Sequence, residues 1–210
     1  MKLLLLGATG LVGRNTLALA LQHPKIELVV APTRRPLQPH GKLLNPVASR
    51  LEDLLPELSS QSFDAMICAT GTTMKKAGSK EAFRAIDYDL PLSFARMVRQ
   101  QGATSLALVS AVGSSPDSSF FYPRVKGELE RDIQSLGFPS LTILRPGLIG
   151  GEREEHRLAE EIASRLSGFL APVLPKSFRI NPASKIAAAL VSAVVEAAPG
   201  LHYLRSADLS

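Results

Sequence analysis

The chain has 210 residues, 45% of them hydrophobic, which is enough for one compact domain with a sizeable core. A net charge of +5 suits an anionic ligand, but the sequence lacks the long basic run of a nucleic-acid-binding surface. The single cysteine excludes an intramolecular disulfide and a cysteine-rich metal site. Because the apolar start is too short for a signal peptide and no apolar stretch approaches the ~20 residues of a membrane span, we expect a cytoplasmic protein with no membrane partner.

The N-terminal segment has the pattern of a strand, a glycine-rich turn and a helix. The apolar run 3–6 predicts a buried parallel strand, which leads directly into Gly7-Ala8-Thr9-Gly10-Leu11-Val12-Gly13. A helix is predicted from the end of this turn to His23, ahead of Pro24. Glycines at this spacing permit the sharp turn, the approach of a pyrophosphate to the backbone and close packing of the helix on the sheet. The pattern indicates a dinucleotide site, and the alternative is an α/β turn that binds no nucleotide.

The second predicted strand, 26–31, ends just before two arginines. An NAD site usually carries Asp or Glu at this point to bind the ribose 2′-hydroxyl. The chain has Arg34 and Arg35 instead, and a guanidinium can pair with a 2′-phosphate. We therefore expect NADPH to be preferred over NADH. The alternative is a solvated basic loop.

The remaining elements continue an alternation of strands and helices. Further strands are predicted at 63–68, 105–109 and 141–144, with a weaker one around 46–48. Helices are predicted at 80–101, before Gly137 and at 183–197. The alternation predicts an α/β fold in which residues 1–210 form a single Rossmann-type domain, a doubly wound parallel sheet with helices on both faces. The last 60 or so residues leave room for a small C-terminal cap. Cys68, in an apolar strand, is expected to be a buried side chain rather than a reactive thiol.

Tyr122 and Lys126 have the spacing of an acid–base pair. At four residues apart near the start of a helix they share one face, and Pro123 confines the helix start to the few residues before it. A neighbouring ammonium stabilises tyrosinate, so we expect the pKa of Tyr122 to fall below its ordinary value of about 10. Ser110, just past a predicted strand, could hydrogen-bond a substrate oxygen and hold it against Tyr122. The alternative is a Tyr/Lys pair on an exposed helix face with no catalytic role.

Further motifs accompany the glycine turn along nearly the whole chain. They are Arg34-Arg35, Cys68-Ala69-Thr70-Gly71-Thr72-Thr73, Lys76-Ala77-Gly78, Ser118-Ser119 before Tyr122, Lys126-Gly127-Glu128 and Arg145-Pro146-Gly147. Together they resemble the short-chain dehydrogenase/reductase superfamily, and in particular its atypical, Tat-interacting-protein-like (CC3-like) branch of NADPH-binding proteins.

The resemblance implies a role for each matching residue. Its cofactor contacts are Gly7, Thr9, Gly10, Leu11, Val12 and Gly13 around the pyrophosphate, Arg34 and Arg35 at the 2′-phosphate, Ala69, Thr70, Gly71 and Thr72 along the cofactor path, and Pro146, Leu148 and Ile149 beside the nicotinamide. Tyr122 and Lys126 match the active-site pair, and Lys126 would also bind the nicotinamide ribose. Arg157 matches a position that reaches the cofactor, with an ordinary helix-face arginine as the alternative.

One residue departs from the wider superfamily. Asp87 stands where many members carry an Asn that organises a proton-relay water. A carboxylate there could alter or abolish the relay, which puts turnover in doubt while leaving the cofactor site unaffected.

Two functions fit the sequence. The first is an NADPH-dependent oxidoreductase in which Tyr122 donates a proton as hydride reaches a small carbonyl-like substrate. The second is an NADPH-binding sensor that controls a partner protein with little or no turnover. The identity of the substrate and the oligomeric state stay open. No metal is expected, because His23, His40, His156 and His202 are scattered without the spacing of metal ligands.

Overall fold

A parallel β-sheet forms the centre of the computed structural model, which describes residues 1–150 and 180–209. The strands are β1 (Lys2–Leu6), β2 (Leu28–Val30), β3 (Leu43–Leu44), β4 (Ala65–Cys68), β5 (Ser105–Val109), β6 (Ser140–Arg145), β7 (Leu148–Gly150), β8 (Ile180–Pro182) and β9 (Gly200–Arg205). Seven of them form one sheet in the order β3-β2-β1-β4-β5-β6-β9, and β7 pairs separately with β8. All of these pairings are parallel.

Helices connect the strands and cover both faces of the sheet. They are α1 (Leu11–Gln22), α2 (Leu55–Leu58), α3 (Met74–Ala77), α4 (Lys80–Arg84), α5 (Leu90–Gln100), α6 (Phe121–Gln134) and α7 (Ala183–Glu196). A π-helical turn, Ala85–Asp89, joins α4 to α5, and 3-10 turns lie at Leu51–Leu54 and Ser206–Leu209. The predicted α/β class, with a doubly wound parallel sheet, is therefore confirmed.

Alternate strand residues supply the two halves of the core. Leu4 and Leu6 face the cluster that contains Phe94 of α5 and Leu129 of α6, whereas Leu3 and Leu5 face the cluster built by α1 and α7. Because the sheet is buried on both faces, its central strands are continuous apolar runs. From β1 the chain continues to β2 and β3 on one side of β1, and then crosses back to form β4 on the other side. This reversal opens a crevice at the carboxyl ends of the strands, where α/β proteins bind ligands.

The helix predictions hold well, and the strand predictions fail at the edges of the sheet. Helix α1 ends at Gln22, and α4, the π-helical turn and α5 fill the predicted stretch 80–101. The weak strand expected at 46–48 is displaced: the strand in this region is β3, at Leu43–Leu44. Val47 makes an isolated bridge with Thr33. Strand β9 was not predicted. Most of its side chains are exposed, and an edge strand needs no continuous apolar run.

Part of the segment that was expected to form a small C-terminal cap belongs to the main fold. Residues 180–209 return to the main fold, since α7 packs on α1 and β9 pairs with β6. The rest of the segment expected to form the cap, residues 151–179, falls outside the described part of the chain. Within residues 1–150 and 180–209, no helix combines the length and apolar character needed to cross a membrane.

Candidate functional site

Two glycines of the first turn are required by the packing of the protein itself. Gly7 has a φ of +92°, and a Cβ there would lie 2.6 Å from the carbonyl carbon of Ala69. A Cβ on Gly13 would lie 2.0 Å from the carbonyl oxygen of Gly7. These clashes demand glycine at both positions whether or not the turn binds a ligand.

Gly10 differs from these two because the fold leaves room for a side chain. Its Cβ would lie 3.4 Å from the carbonyl oxygen of Gly7 and 4.0 Å from that of Ala69, which are ordinary contacts. Gly10 is also the N-cap of α1, and no side chain among the described residues caps it. The first amides of this 12-residue helix are therefore available to an anion at the positive end of the helix dipole.

A cavity of about 430 Å³ lies above this turn, at the reversal point of the sheet. Its walls come from the glycine turn, the ends of β2 and β4, the segment after β3 and the π-helical turn. Its lining residues are Gly7, Ala8, Thr9, Gly10, Pro32, Thr33, Arg34, Ser49, Arg50, Leu51, Glu52, Ala69, Thr70, Gly71, Ala85, Ile86 and Leu90. The structure thus brings together the predicted cofactor residues Gly7, Thr9, Gly10, Arg34, Ala69, Thr70 and Gly71.

Other predicted cofactor residues do not line this cavity. Leu11, Val12 and Gly13 belong to α1, where Val12 is buried in the core, and the backbone amide of Thr72 donates to Asp87. Arg35 is exposed beside the cavity, while Pro146, Leu148 and Ile149 follow β6. The backbone amide of Gly147, between them, donates to the buried Asn181 at 2.7 Å. Arg157 lies outside the described residues.

Arg50 is a cavity residue that the sequence analysis missed. It follows β3 and lines the same cavity as Arg34, and both side chains are exposed. The usual position of the residue that binds the ribose is directly after β2, where Arg34 and Arg35 lie. A basic residue following the neighbouring strand was the available signal, because parallel strands end at the same edge of the sheet.

Asn45 fixes the loop that carries Arg34. Its Nδ2 donates to the carbonyl oxygen of Ala31 at 2.6 Å and to Thr33 Oγ1 at 2.8 Å. Its Oδ1 accepts from the backbone amide of Leu37 at 2.8 Å. These contacts join the segments that follow β2 and β3, which carry the cavity residues Arg34 and Arg50.

Tyr122 and Lys126 occupy the first two turns of α6. Tyr122 is 39% exposed and packs edge-on against Phe83, with ring centroids 5.6 Å apart, whereas Lys126 is buried. A Cβ on Gly127 would lie only 2.1 Å from the carbonyl carbon of Ser115, so the preceding loop packs directly on this part of the helix. The predicted acid–base pair is therefore held in place by its neighbours.

Lys126 forms a buried ion pair with Asp87. Its Nζ lies 2.6 Å from Asp87 Oδ1, and the side chains are 5% and 0% exposed. The second carboxylate oxygen, Oδ2, accepts from the backbone amide of Thr72 at 2.9 Å. Asp87 thus joins the π-helical turn to α6 and to the segment that follows β4.

The expected direction of the Tyr122 shift is wrong. Burial raises the pKa of Tyr122, and although Lys126 lowers it, Asp87 raises it further. Burial also opposes the charge of Lys126, but attraction to Asp87 and Tyr122 leaves the pKa of the lysine raised. The spacing of Tyr122 and Lys126 shows the ammonium, but it shows neither the burial of the phenol nor the carboxylate that accompanies the lysine. The phenol is accordingly held in its protonated form.

Ser110 lies in a buried polar network. Its Oγ donates to the carboxylate of Glu130 and lies 3.0 Å from Ser114 Oγ. Glu130 in turn pairs with Arg145, whose Nε lies 3.1 Å from Glu130 Oε1. These contacts assign Ser110 a structural partner, and its contact with substrate stays a prediction.

Cys68 is buried, as the sequence predicts, with its Sγ 3.1 Å from Thr70 Oγ1. Burial raises the pKa of this thiol, which keeps it protonated. Among residues 1–150 and 180–209, no group of three or more His, Cys, Asp and Glu side chains could hold a metal ion.

Solved structures share this architecture. A short chain dehydrogenase family protein from Francisella tularensis aligns with a TM-score of 0.70 at 15% identity, over 99% of this chain and 98% of its own. WbmH from Bordetella bronchiseptica, solved in complex with NAD+, aligns with a TM-score of 0.72 at 14% identity, over 98% of this chain and 75% of its own. The chain therefore shares the Rossmann-like α/β fold of these two proteins.

Sequence comparison identifies the family more narrowly. Residues 42–176 match the HIM1 family model. The mitochondrial protein fmp52 of Emericella nidulans is 38% identical over 176 residues, 80% of this chain and 76% of that protein. The mitochondrial protein fmp52 of Aspergillus clavatus is 36% identical over 210 residues, 93% of this chain and 88% of that protein. The chain belongs to the HIM1 family.

These relatives contradict the expected cytoplasmic location. Each of them carries a name that places it in mitochondria, as does the Candida albicans relative, which is 39% identical over 175 residues. The composition of the chain was therefore insufficient to predict its compartment.

Proposed function

We propose that this HIM1-family protein is an NADPH-dependent oxidoreductase of the atypical short-chain dehydrogenase/reductase type. It would transfer hydride to a small carbonyl-like substrate, with Tyr122 as the proton donor. The observation that carries the proposal is the cavity at the sheet reversal, which has the open backbone of Gly10 in its wall and Arg34 and Arg50 among its lining residues.

The residues present fit a dinucleotide. Packing explains Gly7 and Gly13, but it leaves Gly10 without a clash, so a pyrophosphate is a sufficient reason for its small size. The free amides at the start of α1 would bind the pyrophosphate charge. Arg34 and Arg50 would hold a 2′-phosphate, and Ala69, Thr70 and Gly71 would line the path towards Tyr122.

Bound NADPH would supply the hydride, and the protein would supply position and a proton. Tyr122 is partly exposed and protonated, which suits a phenol that donates its proton to a developing alkoxide. Lys126 is held as an ammonium by Asp87 and has further N–H donors for the nicotinamide ribose. Pro146, Leu148 and Ile149 would border the nicotinamide, and Arg157 would reach the cofactor from beyond the described residues.

The buried Asp87 also favours a second candidate function. Because Asp87 neutralises Lys126, the site lacks the free ammonium that activates a tyrosinate. An NADPH-binding sensor with little or no turnover, which controls a partner protein, would retain the same nucleotide cavity. Loss of NADPH absorbance with a panel of carbonyl, quinone and sugar compounds would support the enzyme. Binding without turnover across the panel would support the sensor.

We also propose a mitochondrial location, on the strength of the relatives' names. Within the short-chain dehydrogenase/reductase superfamily, we propose that the protein is related to the Tat-interacting-protein-like branch. The Arg34-Arg35 pair and the Lys126-Gly127-Glu128 motif support this relationship. Both described ranges contribute strands to one sheet, which supports a single nucleotide-binding domain over residues 1–210.

The proposal predicts that Arg34 and Arg50 carry the preference for NADPH. We expect each Arg→Ala change to weaken NADPH binding about tenfold, because a charge-assisted hydrogen bond contributes about 1.5–3 kcal/mol. NADH affinity should change little, since NADH lacks the 2′-phosphate. Calorimetric titration of both cofactors measures the effect.

Arg35→Ala is the matched control, because Arg35 is exposed and does not line the cavity. We expect it to bind NADPH within about threefold of the unmodified protein, which is less than 1 kcal/mol. If Arg35→Ala loses the preference and Arg50→Ala keeps it, the assignment of the 2′-phosphate to this cavity is wrong.

A further inference from the structure

Asp87 connects three parts of the site through one carboxylate. Oδ1 lies 2.6 Å from Lys126 Nζ in α6, and Oδ2 accepts from the backbone amide of Thr72 at 2.9 Å. The side chain is fully buried, and Ala85 and Ile86, just before it in the π-helical turn, line the nucleotide cavity. Such π-helical turns occur frequently at functional sites.

The carboxylate opposes the positive charge of Lys126 that faces Tyr122. The titratable groups around Lys126 are Asp87 from the π-helical turn, Tyr122 from its own helix and Cys68 from β4. The buried thiol of Cys68 is neutral, because burial raises its pKa. Asp87 is therefore the counter-ion of Lys126, with Oδ1 at 2.6 Å from the ammonium and Oδ2 accepting from the backbone amide of Thr72.

We propose that Asp87 is a positioning residue that pairs with Lys126 and so weakens the pull of that ammonium on the proton of Tyr122. This inference rests on the proposed function, in which Tyr122 meets the substrate. Carbonyl reduction needs the protonated phenol, whereas alcohol oxidation needs tyrosinate to accept a proton. Asp87 thus favours the protonated phenol that reduction needs, and Asp87→Asn would extend the tyrosinate form to lower pH.

The experiment is a pH titration of tyrosinate absorbance in the intact protein, which needs neither substrate nor cofactor. Subtracting the titration of the matching Tyr122→Phe protein removes the signals of Tyr88 and Tyr203. Removing the charge of Asp87 leaves the ammonium facing the phenol, so Asp87→Asn should lower the Tyr122 midpoint by about one pH unit or more. Asp89→Asn, an exposed change in the same turn, should leave it unchanged. An unchanged or raised midpoint in Asp87→Asn would overturn the proposal.

A second variant keeps the test decisive if Asp87→Asn fails to fold. In Asp87→Asn/Lys126→Met both charges are absent, so no unpaired charge is buried. If the two charges cancel at Tyr122, the double variant should titrate close to the unmodified protein, and a displacement of about one pH unit in either direction would contradict the cancellation. Circular dichroism defines the pH range in which each protein is folded. Failure of NADPH binding would refute the proposed function alone, because the titration contains no nucleotide.

Discussion

Gly10→Val is expected to abolish NADPH binding while the protein stays folded. The backbone at Gly10 is extended, with φ −73° and ψ 171°, which valine adopts readily. Its Cβ would make only ordinary contacts, but the two methyl groups would occupy the space needed for a pyrophosphate to approach the backbone. We expect affinity to fall by at least about a hundredfold, or about 2.8 kcal/mol. Calorimetric titration measures binding, and circular dichroism measures folding.

Substitutions at two other glycines provide the controls. Gly13→Ala should lower the free energy of unfolding by about 1–3 kcal/mol, because its Cβ would lie 2.0 Å from the Gly7 carbonyl oxygen. Gly41→Ala should change neither binding nor stability, since nothing lies within 4 Å of the added carbon. If Gly10→Val binds NADPH normally, the turn has only a structural role.

Tyr122→Phe is expected to remove turnover while NADPH affinity stays within a few-fold. Loss of a positioned proton donor costs about 10²–10⁴-fold in rate, and Phe retains the ring that packs on Phe83. Steady-state rates with the first substrate found in the compound panel, measured together with cofactor affinity, test this. Undiminished turnover would remove Tyr122 from the mechanism.

Lys126→Ala should damage both turnover and NADPH binding. Lys126 would bind the nicotinamide ribose, and its removal leaves the charge of Asp87 buried without a partner, which costs about 3–5 kcal/mol of stability. Asp87→Asn/Lys126→Ala separates these two effects, because it restores charge balance without restoring the ribose contact. If the double variant binds NADPH normally, Lys126 does not hold the cofactor.

The local parts of the site were predictable from sequence, because their causes lie within a few residues. The spacing of Gly7, Gly10 and Gly13 follows from one turn, and Tyr122 and Lys126 share a face because a helix repeats every 3.6 residues. The central strands were equally clear, since burial on both faces makes them continuous apolar runs.

The contacts between distant segments were not predictable in the same way. Nothing in the sequence near Tyr122 and Lys126 shows that the phenol is buried or that Asp87 pairs with Lys126, and burial first and Asp87 second raise the pKa of Tyr122. Arg50 reaches the cavity only because β3 pairs beside β2. The exposed side chains of β9 carry no strand pattern, although its backbone completes the sheet at the edge of β6.

Calorimetric titration of the unmodified protein with NADPH and NADH tests the central claim most directly. The proposed function predicts one site per chain, with NADPH bound at least about tenfold more tightly than NADH because Arg34 and Arg50 line the cavity. Binding of neither nucleotide, or equal affinity for both, would contradict an NADPH-dependent function.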